Sequence, residues 1–274
     1  MQKPVALVTG ASSGIGLELS RLFAAGGHDL VLVARSAERL DRVARDFQNQ
    51  YAVRVRIQPS DLSEVDATHR LWRRLTDDGV AVDVLVNNAG IGLHGPFSGQ
   101  QIAAIDRLIA VNVTALTTLT RLALPEMLAR RSGGILNVAS LVAFQPGGPL
   151  EAVYYATKSY VLSFSKGLAR ELRGSGVTVT ALCPGPTRTS FEVSAGATET
   201  VLYRLMPSAS PATVALAGYR GLMRGSSAVI PGLLTKILAF AGELPPRRVA
   251  LEVNRLLLQP RSRRKTVGAQ DVIP

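Results

Sequence analysis

The chain has 274 residues, one cysteine (Cys183), three histidines and a formal net charge of +11, with 47% hydrophobic residues. A single cysteine excludes an intramolecular disulfide, and three widely separated histidines (His28, His69, His94) exclude a zinc-ligand spacing, so no metal site is expected. The positive charge is scattered near helix ends and in "RSRRK" at 261–265 rather than gathered on one basic element, so nucleic-acid binding is not expected either.

The first apolar run begins at Val5, with no basic region and long apolar stretch of a secretory signal, and no apolar run looks long enough to span a bilayer. With the cysteine usage, this leads to the expectation of a cytoplasmic protein. In chain order, seven short segments rich in β-branched residues read as strands: "VALVTG" (5–10), "DLVLVAR" (29–35), "VRVRIQPSD" (53–61), "VDVLVNNAG" (82–90), "GGILNVAS" (133–140), "VTVTALCPG" (177–185) and "SAVIPG" (227–232). Stretches of helical length and period lie between them, among them 16–25, 37–49 and 112–131. Strands apolar on both faces that alternate with helices imply a mostly parallel sheet covered on both sides, a doubly wound α/β fold. No linker rich in Pro, Ser and Gly divides the chain, so residues 1–274 are expected to form one domain.

In such folds ligands sit at the carboxyl ends of the strands. The first strand ends in "TGASSGIG" (9–16), where glycines at 10, 14 and 16 allow a tight turn and close approach to a diphosphate, and the following helix offers its free N–H groups. The second strand ends at Arg35, with no carboxylate before Glu38. An acidic residue there would bind the 2′-hydroxyl of NAD, whereas an arginine accommodates a 2′-phosphate, so NADP(H) is favoured over NAD(H). Ser13, beside the glycines, is not basic and supplies no second cation. In "YYATK" (154–158), a tyrosine one helical turn from a lysine is a candidate for proton transfer, because an ammonium stabilises a nearby phenolate. Tyr154 and Tyr155 are both neighbours of Lys158 on a helix, and helical geometry favours neither.

From Pro4 to about Thr189 the sequence resembles the short-chain dehydrogenase/reductase family, with "TGASSGIG", "SDL" (60–62), "NNAG" (87–90), "VNV" around Asn112, "NVAS" ending at Ser140, "YYATK" and "PGPTRT" (184–189) in order. The resemblance implies a Rossmann-type dinucleotide-binding and catalytic domain. Gly10, Ser12, Ser13, Gly14, Ile15 and Gly16 would form the diphosphate turn, and Arg35 would meet the adenine ribose. Asp61 and Leu62 would lie against the adenine, although Asp61 also reads as an N-cap for the next helix. Asn87, Asn88, Ala89 and Gly90 would pass beside the ribose, and Pro184, Gly185, Thr187 and Thr189 would cover the nicotinamide. The family pattern Tyr-x-x-x-Lys selects Tyr154 as general acid and base, with Lys158 holding the nicotinamide ribose and stabilising the phenolate, and leaves Tyr155 as a packing residue. Ser140 would hydrogen-bond the reacting oxygen, and Asn112 would support a relay water through its backbone carbonyl. The implied activity is NADP(H)-dependent reduction of a ketone or aldehyde, or oxidation of a secondary alcohol. The alternative is a nucleotide-binding regulatory or scaffold protein without turnover.

The segment 189–208 is expected to cover the substrate, and Phe191, Val201, Leu202, Leu205 and Met206 suggest an apolar carbonyl compound. The extension 233–274 carries amphipathic helices and a basic tail, read as packing on the body or on a second subunit in preference to a membrane surface. The family implies a homodimer or homotetramer through the helices beginning at Asn112 and Tyr154. Cys183 reads as a core residue and His94 as a partly exposed loop residue.

Overall fold

A computed structural model describes residues 3–189, 208–243 and 247–258. The expected substrate-lining residues Phe191, Val201, Leu202, Leu205 and Met206, and the basic tail, lie outside these described residues. Seven parallel strands form one sheet in the order β3-β2-β1-β4-β5-β6-β7. They are β1 (Val5–Thr9), β2 (Asp29–Ala34), β3 (Val55–Pro59), β4 (Val84–Asn87), β5 (Gly133–Val138), β6 (Val177–Leu182) and β7 (Ala228–Val229). The doubly wound architecture expected from the alternation is therefore present, and every pairing is parallel. Because the chain runs outward from β1 to β3 and then returns to β4 beside β1, the strand order reverses there, and a crevice opens above the carboxyl ends of β1 and β4.

Alternation along the strands sends side chains to two cores. Ala6, Val8, Leu30 and Leu32 pack under α1 (Gly14–Ala25), α2 (Ala37–Tyr51) and α7 (Pro211–Met223), through Leu19, Phe23, Leu40, Phe47, Val214 and Leu222. Leu7, Val31, Leu85 and Ile135 pack on the other face against α3 (Ala67–Asp77) and α5 (Leu116–Ala129). Burial of each such leucine or valine stabilises by roughly 1.5–3 kcal/mol, so the sheet centre is the most strongly held part of the site's foundation. Helix α2 begins where Ser36 Oγ accepts from Arg39 N at 3.3 Å, which satisfies one free N–H of its first turn.

The helix expected over 112–131 starts earlier. α4 (Ile102–Ile109) runs through a π-helical stretch (Ala110–Ala115) into α5, so Asn112 lies inside a continuous helix and not at its beginning. That helix, Ile102–Ala129, is long and apolar enough to cross a membrane by length and composition, which corrects the expectation that no apolar segment reaches that length. Its buried Leu108, Leu116, Leu119, Ala123 and Met127 account for the apolar content as core packing. β7 has only two residues where six were expected. α8 (Leu233–Glu243) and α9 (Arg247–Leu257) follow, and the chain closes back on the body: Asn254 Nδ2 donates to Gly147 O at 2.8 Å, and Leu258 is buried beside Tyr154, Tyr155 and Leu108.

Candidate active site

Above the carboxyl ends of the strands lies a cavity of about 790 Å³. Its wall includes every residue that the resemblance assigned to cofactor or chemistry except Gly16, Asn87 and Asn112. Each of the three exceptions supports the wall from behind.

The β1 turn needs its glycines. Gly10 and Gly14 have φ of +65° and +57°, a region that side chains disfavour, and a Cβ on Gly10 would come 2.7 Å from Asn88 Nδ2. A methyl on Gly16 would overlap the Gly10 carbonyl oxygen and Asn88 Nδ2, so Gly16 keeps α1 close to the turn without facing the cavity. Thr9 and Asn88 clasp this turn to β4. Thr9 Oγ1 accepts from Asn88 N and Ala89 N at 3.0 Å each, and Asn88 Nδ2 donates to Thr9 O at 2.9 Å. Ser13, at the N-cap of α1, makes no side-chain capping bond, so the first amides of the helix have no side-chain acceptor there and suit an anion. The turn thus fits a diphosphate.

At the β2 side, Arg35 lines the cavity with Ser36, Arg39 and Arg107. Glu38 instead pairs with Arg42 at 3.6 Å and does not line the cavity. Asp61 accepts from Ser63 N at 3.0 Å and Ser63 Oγ at 2.6 Å, and its other oxygen accepts from Arg107 at 2.6 Å. Burial acts to raise its pKa, but the Ser63 hydrogen bonds and the charges of Arg107 and Arg35 outweigh it, so the carboxyl titrates below its ordinary value. Asp61 is not the N-cap of α3, as the alternative reading had it. That position belongs to Asp66, in a left-handed conformation with φ of 58°. Asn87 turns into the core rather than toward a ribose. It donates to Thr120 Oγ1 at 3.0 Å and Asn137 Oδ1 at 2.9 Å, and Asn137 donates on to Ser165 Oγ at 2.9 Å, which joins β4, α5, β5 and α6 (Ala152–Glu171) beneath the cavity.

At the β5 side, Ser140 follows the strand and accepts from Val142 N at 3.3 Å, which leaves its O–H free to donate. Tyr154 and Lys158 come from the first turns of α6, and both line the cavity. Lys158 Nζ lies 5.8 Å from the centre of the Tyr154 ring and donates to Val138 O at 2.9 Å. Burial lowers its pKa to about 8, which still leaves it mostly protonated at neutral pH. Tyr155 is excluded from the cavity wall; its ring packs so closely on Gly148 that a methyl there would overlap it. Asn112 is buried behind the wall. Its side chain donates to Ile91 O at 2.9 Å and to Thr157 Oγ1 at 3.1 Å and accepts from Ile91 N at 2.9 Å, which ties α6 to the loop after β4. π-Helical turns of this kind are frequent at functional sites.

Thr187 and Thr189 reach the cavity because the loop after β6 is pinned by Arg188 N to Ala209 O at 3.0 Å and Ala209 N to Pro186 O at 2.9 Å. Cys183 is fully buried and its thiol is pushed up to about 12 by burial, as a core role requires. His94 is a part-buried loop residue, as expected, and its Nε2 donates to Leu258 O at 2.9 Å. Sequence reasoning missed Arg39, Arg107 and Glu151. Arg39 lies in the first turn of the helix that follows Arg35, and Glu151 stands at the N-cap three residues before Tyr154, positions the sequence pattern could have marked, whereas nothing local marks Arg107.

The family model for short chain dehydrogenases matches residues 4–200. Ketoacyl reductase HetN of Nostoc is 31% identical, with 89% of this chain and 85% of that protein covered. Very-long-chain 3-oxoacyl-CoA reductase-A of Danio rerio is 35% identical over 65% of this chain, but the match spans only 56% of the zebrafish protein. Among solved structures, a short-chain dehydrogenase from Sphingobium yanoikuyae in complex with NADPH superposes with a TM-score of 0.78 at 36% identity, covering 87% of this chain and 92% of that one. A bulky-bulky ketone specific alcohol dehydrogenase from Comamonas testosteroni superposes with a TM-score of 0.73 at 33% identity, covering 85% and 88%. With the glycine turn, the buried lysine and the tyrosine on one cavity, the chain belongs to the short-chain dehydrogenase/reductase family, oxidoreductases that work with a nicotinamide cofactor.

Proposed function

We propose that the protein is an NADP(H)-dependent reductase of ketones or aldehydes, with oxidation of the corresponding alcohol as the reverse reaction. The observation that carries the cofactor choice is the cationic wall at the end of β2, where Arg35 and Arg39 line the cavity with Ser36 and the neighbouring carboxylate, Asp61, is bonded to Arg107. A dianionic 2′-phosphate makes charge-assisted hydrogen bonds with such a group, and a ribose hydroxyl gains little from it. When bound, the reduced nicotinamide supplies a hydride. Tyr154 donates the proton that the reduced oxygen needs, and Ser140 hydrogen-bonds that oxygen as negative charge develops on it. Lys158 has two N–H groups beyond its bond to Val138 O. Its positive charge stabilises Tyr154 as the phenolate once the proton has left. Asn112 holds Ile91 and Thr157 in place and acts by positioning.

The carbonyl class draws support from the relatives, which are named as ketoacyl reductases and a ketone-specific alcohol dehydrogenase. The exposed Tyr160, stacked on Phe164 along α6, fits the homo-oligomer that the family resemblance implies. A panel of ketones and aldehydes with NADPH and with NADH tests the reading. NADPH-dependent turnover is expected, and Arg35→Ala should lower the NADPH-to-NADH affinity ratio at least about tenfold, the loss of one charge-assisted contact. An unchanged ratio removes the basis for the cofactor choice. Tight cofactor binding without turnover of any carbonyl compound favours the scaffold reading.

A further inference from the structure

Glu151 is only 8% exposed and lines the cavity one helical turn ahead of Tyr154. Three ordinary uses of such an acid are missing. It occupies the N-cap of α6 yet makes no side-chain capping bond, no basic group among the described residues pairs with it, and little of it meets open solvent. Only its main chain is engaged, with its N–H donating to Gly148 O at 2.9 Å and its carbonyl accepting from Tyr155 N at 3.0 Å. A carboxyl that lines the cavity beside Tyr154 with no side-chain partner of its own is available to a polar group of a ligand that enters there.

We propose that Glu151 is a substrate-recognition residue, which hydrogen-bonds a second oxygen function of the substrate close to the carbonyl that is reduced, as in a 3-oxo ester or thioester. The inference rests on the carbonyl-reductase reading above and narrows it from an apolar ketone to an oxo compound with a second polar group. Burial raises the pKa of Glu151 to about 7, so at neutral pH a large fraction of the group is protonated and can donate to an ester or thioester oxygen. A site built to hydrogen-bond a substrate oxygen rejects the analogue that lacks it, since the buried polar group is then left unpaired.

The test compares ethyl 3-oxohexanoate with nonan-4-one, a ketone of equal chain length that lacks the ester, in the wild-type protein, Glu151→Gln and Glu151→Leu. The wild type should prefer the oxo ester by at least about tenfold in kcat/KM, with the difference largely in KM, the value of one hydrogen bond to a buried partner. Glu151→Gln keeps a donor and an acceptor and should retain most of the preference. Glu151→Leu should abolish it. NADPH binding by fluorescence titration checks that each variant is folded. No preference in the wild type, or a preference untouched by Glu151→Leu, overturns the proposal while the reductase reading stands. An equal loss on both substrates in Glu151→Leu with intact NADPH binding makes Glu151 structural and overturns it as well. A wild type that reduces neither these two compounds nor any other carbonyl compound overturns the reductase reading, and the proposal with it.

Discussion

Along the β2 and β3 side of the cavity, two of the contacts that set side-chain position are short in sequence. Ser36 caps its own helix three residues on, and Asp61 is turned by Ser63 two residues on. Toward the β5 side, bonds outside the cavity wall join residues far apart: His94 to Leu258 across 164 positions, Asn254 to Gly147 across 107, and Gln145 to Leu238 across 93. The first side is a local motif placed at a strand end, and its shape follows from glycine backbone freedom and a helix N-terminus. The second is an assembly of segments that meet only when the whole chain has folded. The first side can therefore keep its shape while the second changes what it accepts.

Three substitutions, two of them with a control, test that contrast, in decreasing order of effect on the site. Tyr154→Phe removes the proton donor and should lower kcat by about a thousandfold, within the range for loss of a general acid, while NADPH affinity stays nearly unchanged; single-turnover kinetics with fluorescence titration would show it. Tyr155→Phe should cost less than about tenfold, because its ring packs on Gly148 outside the cavity. A reversal of the two would place the chemistry one residue further along. On the opposite side, Gly16→Ala drives a methyl into the Gly10 carbonyl and Asn88, and NADPH affinity should fall at least about tenfold. Gly99→Ala, with nothing within 4 Å of the added Cβ, should change stability by no more than about 0.5 kcal/mol and serves as its control. An equal response at the two positions in binding and melting experiments would show that close backbone approach does not shape the turn. Leu258→Ala should have the smallest effect on the site of the three, a several-fold rise in KM with NADPH affinity intact, alongside a loss of about 2 kcal/mol in stability. If NADPH affinity falls along with substrate affinity, the two sides are not separable.

The legible parts of the molecule follow the same division. The strand ends at Gly10, Arg35, Gly90 and Ser140 could be placed from sequence because apolar runs, glycines and helix starts repeat at spacings that the doubly wound fold enforces. The turn of Asn87 into the core could not, since Thr120, Asn137 and Ser165 come from three other elements and their pairing is visible only once the sheet is assembled. The early start of the helix carrying Asn112 was hidden because its α4 portion has an apolar face without a capping residue: Gln101 makes no side-chain cap bond. The choice of Tyr154 over Tyr155 needed either the family pattern or the cavity itself, because both rings are buried and both stand near Lys158 along the helix.

The bond from His94 to residue 258 is made to a main-chain carbonyl. That anchor is indifferent to the side chain at this position, whereas the side chain itself packs in the cluster that holds Tyr154. A position tethered by its backbone, with a side chain packed in the Tyr154 cluster, is a place where a change of side-chain size can reach the site. Saturation mutagenesis at residue 258 is accordingly an economical first library for altering substrate size, because each variant retains the same tether.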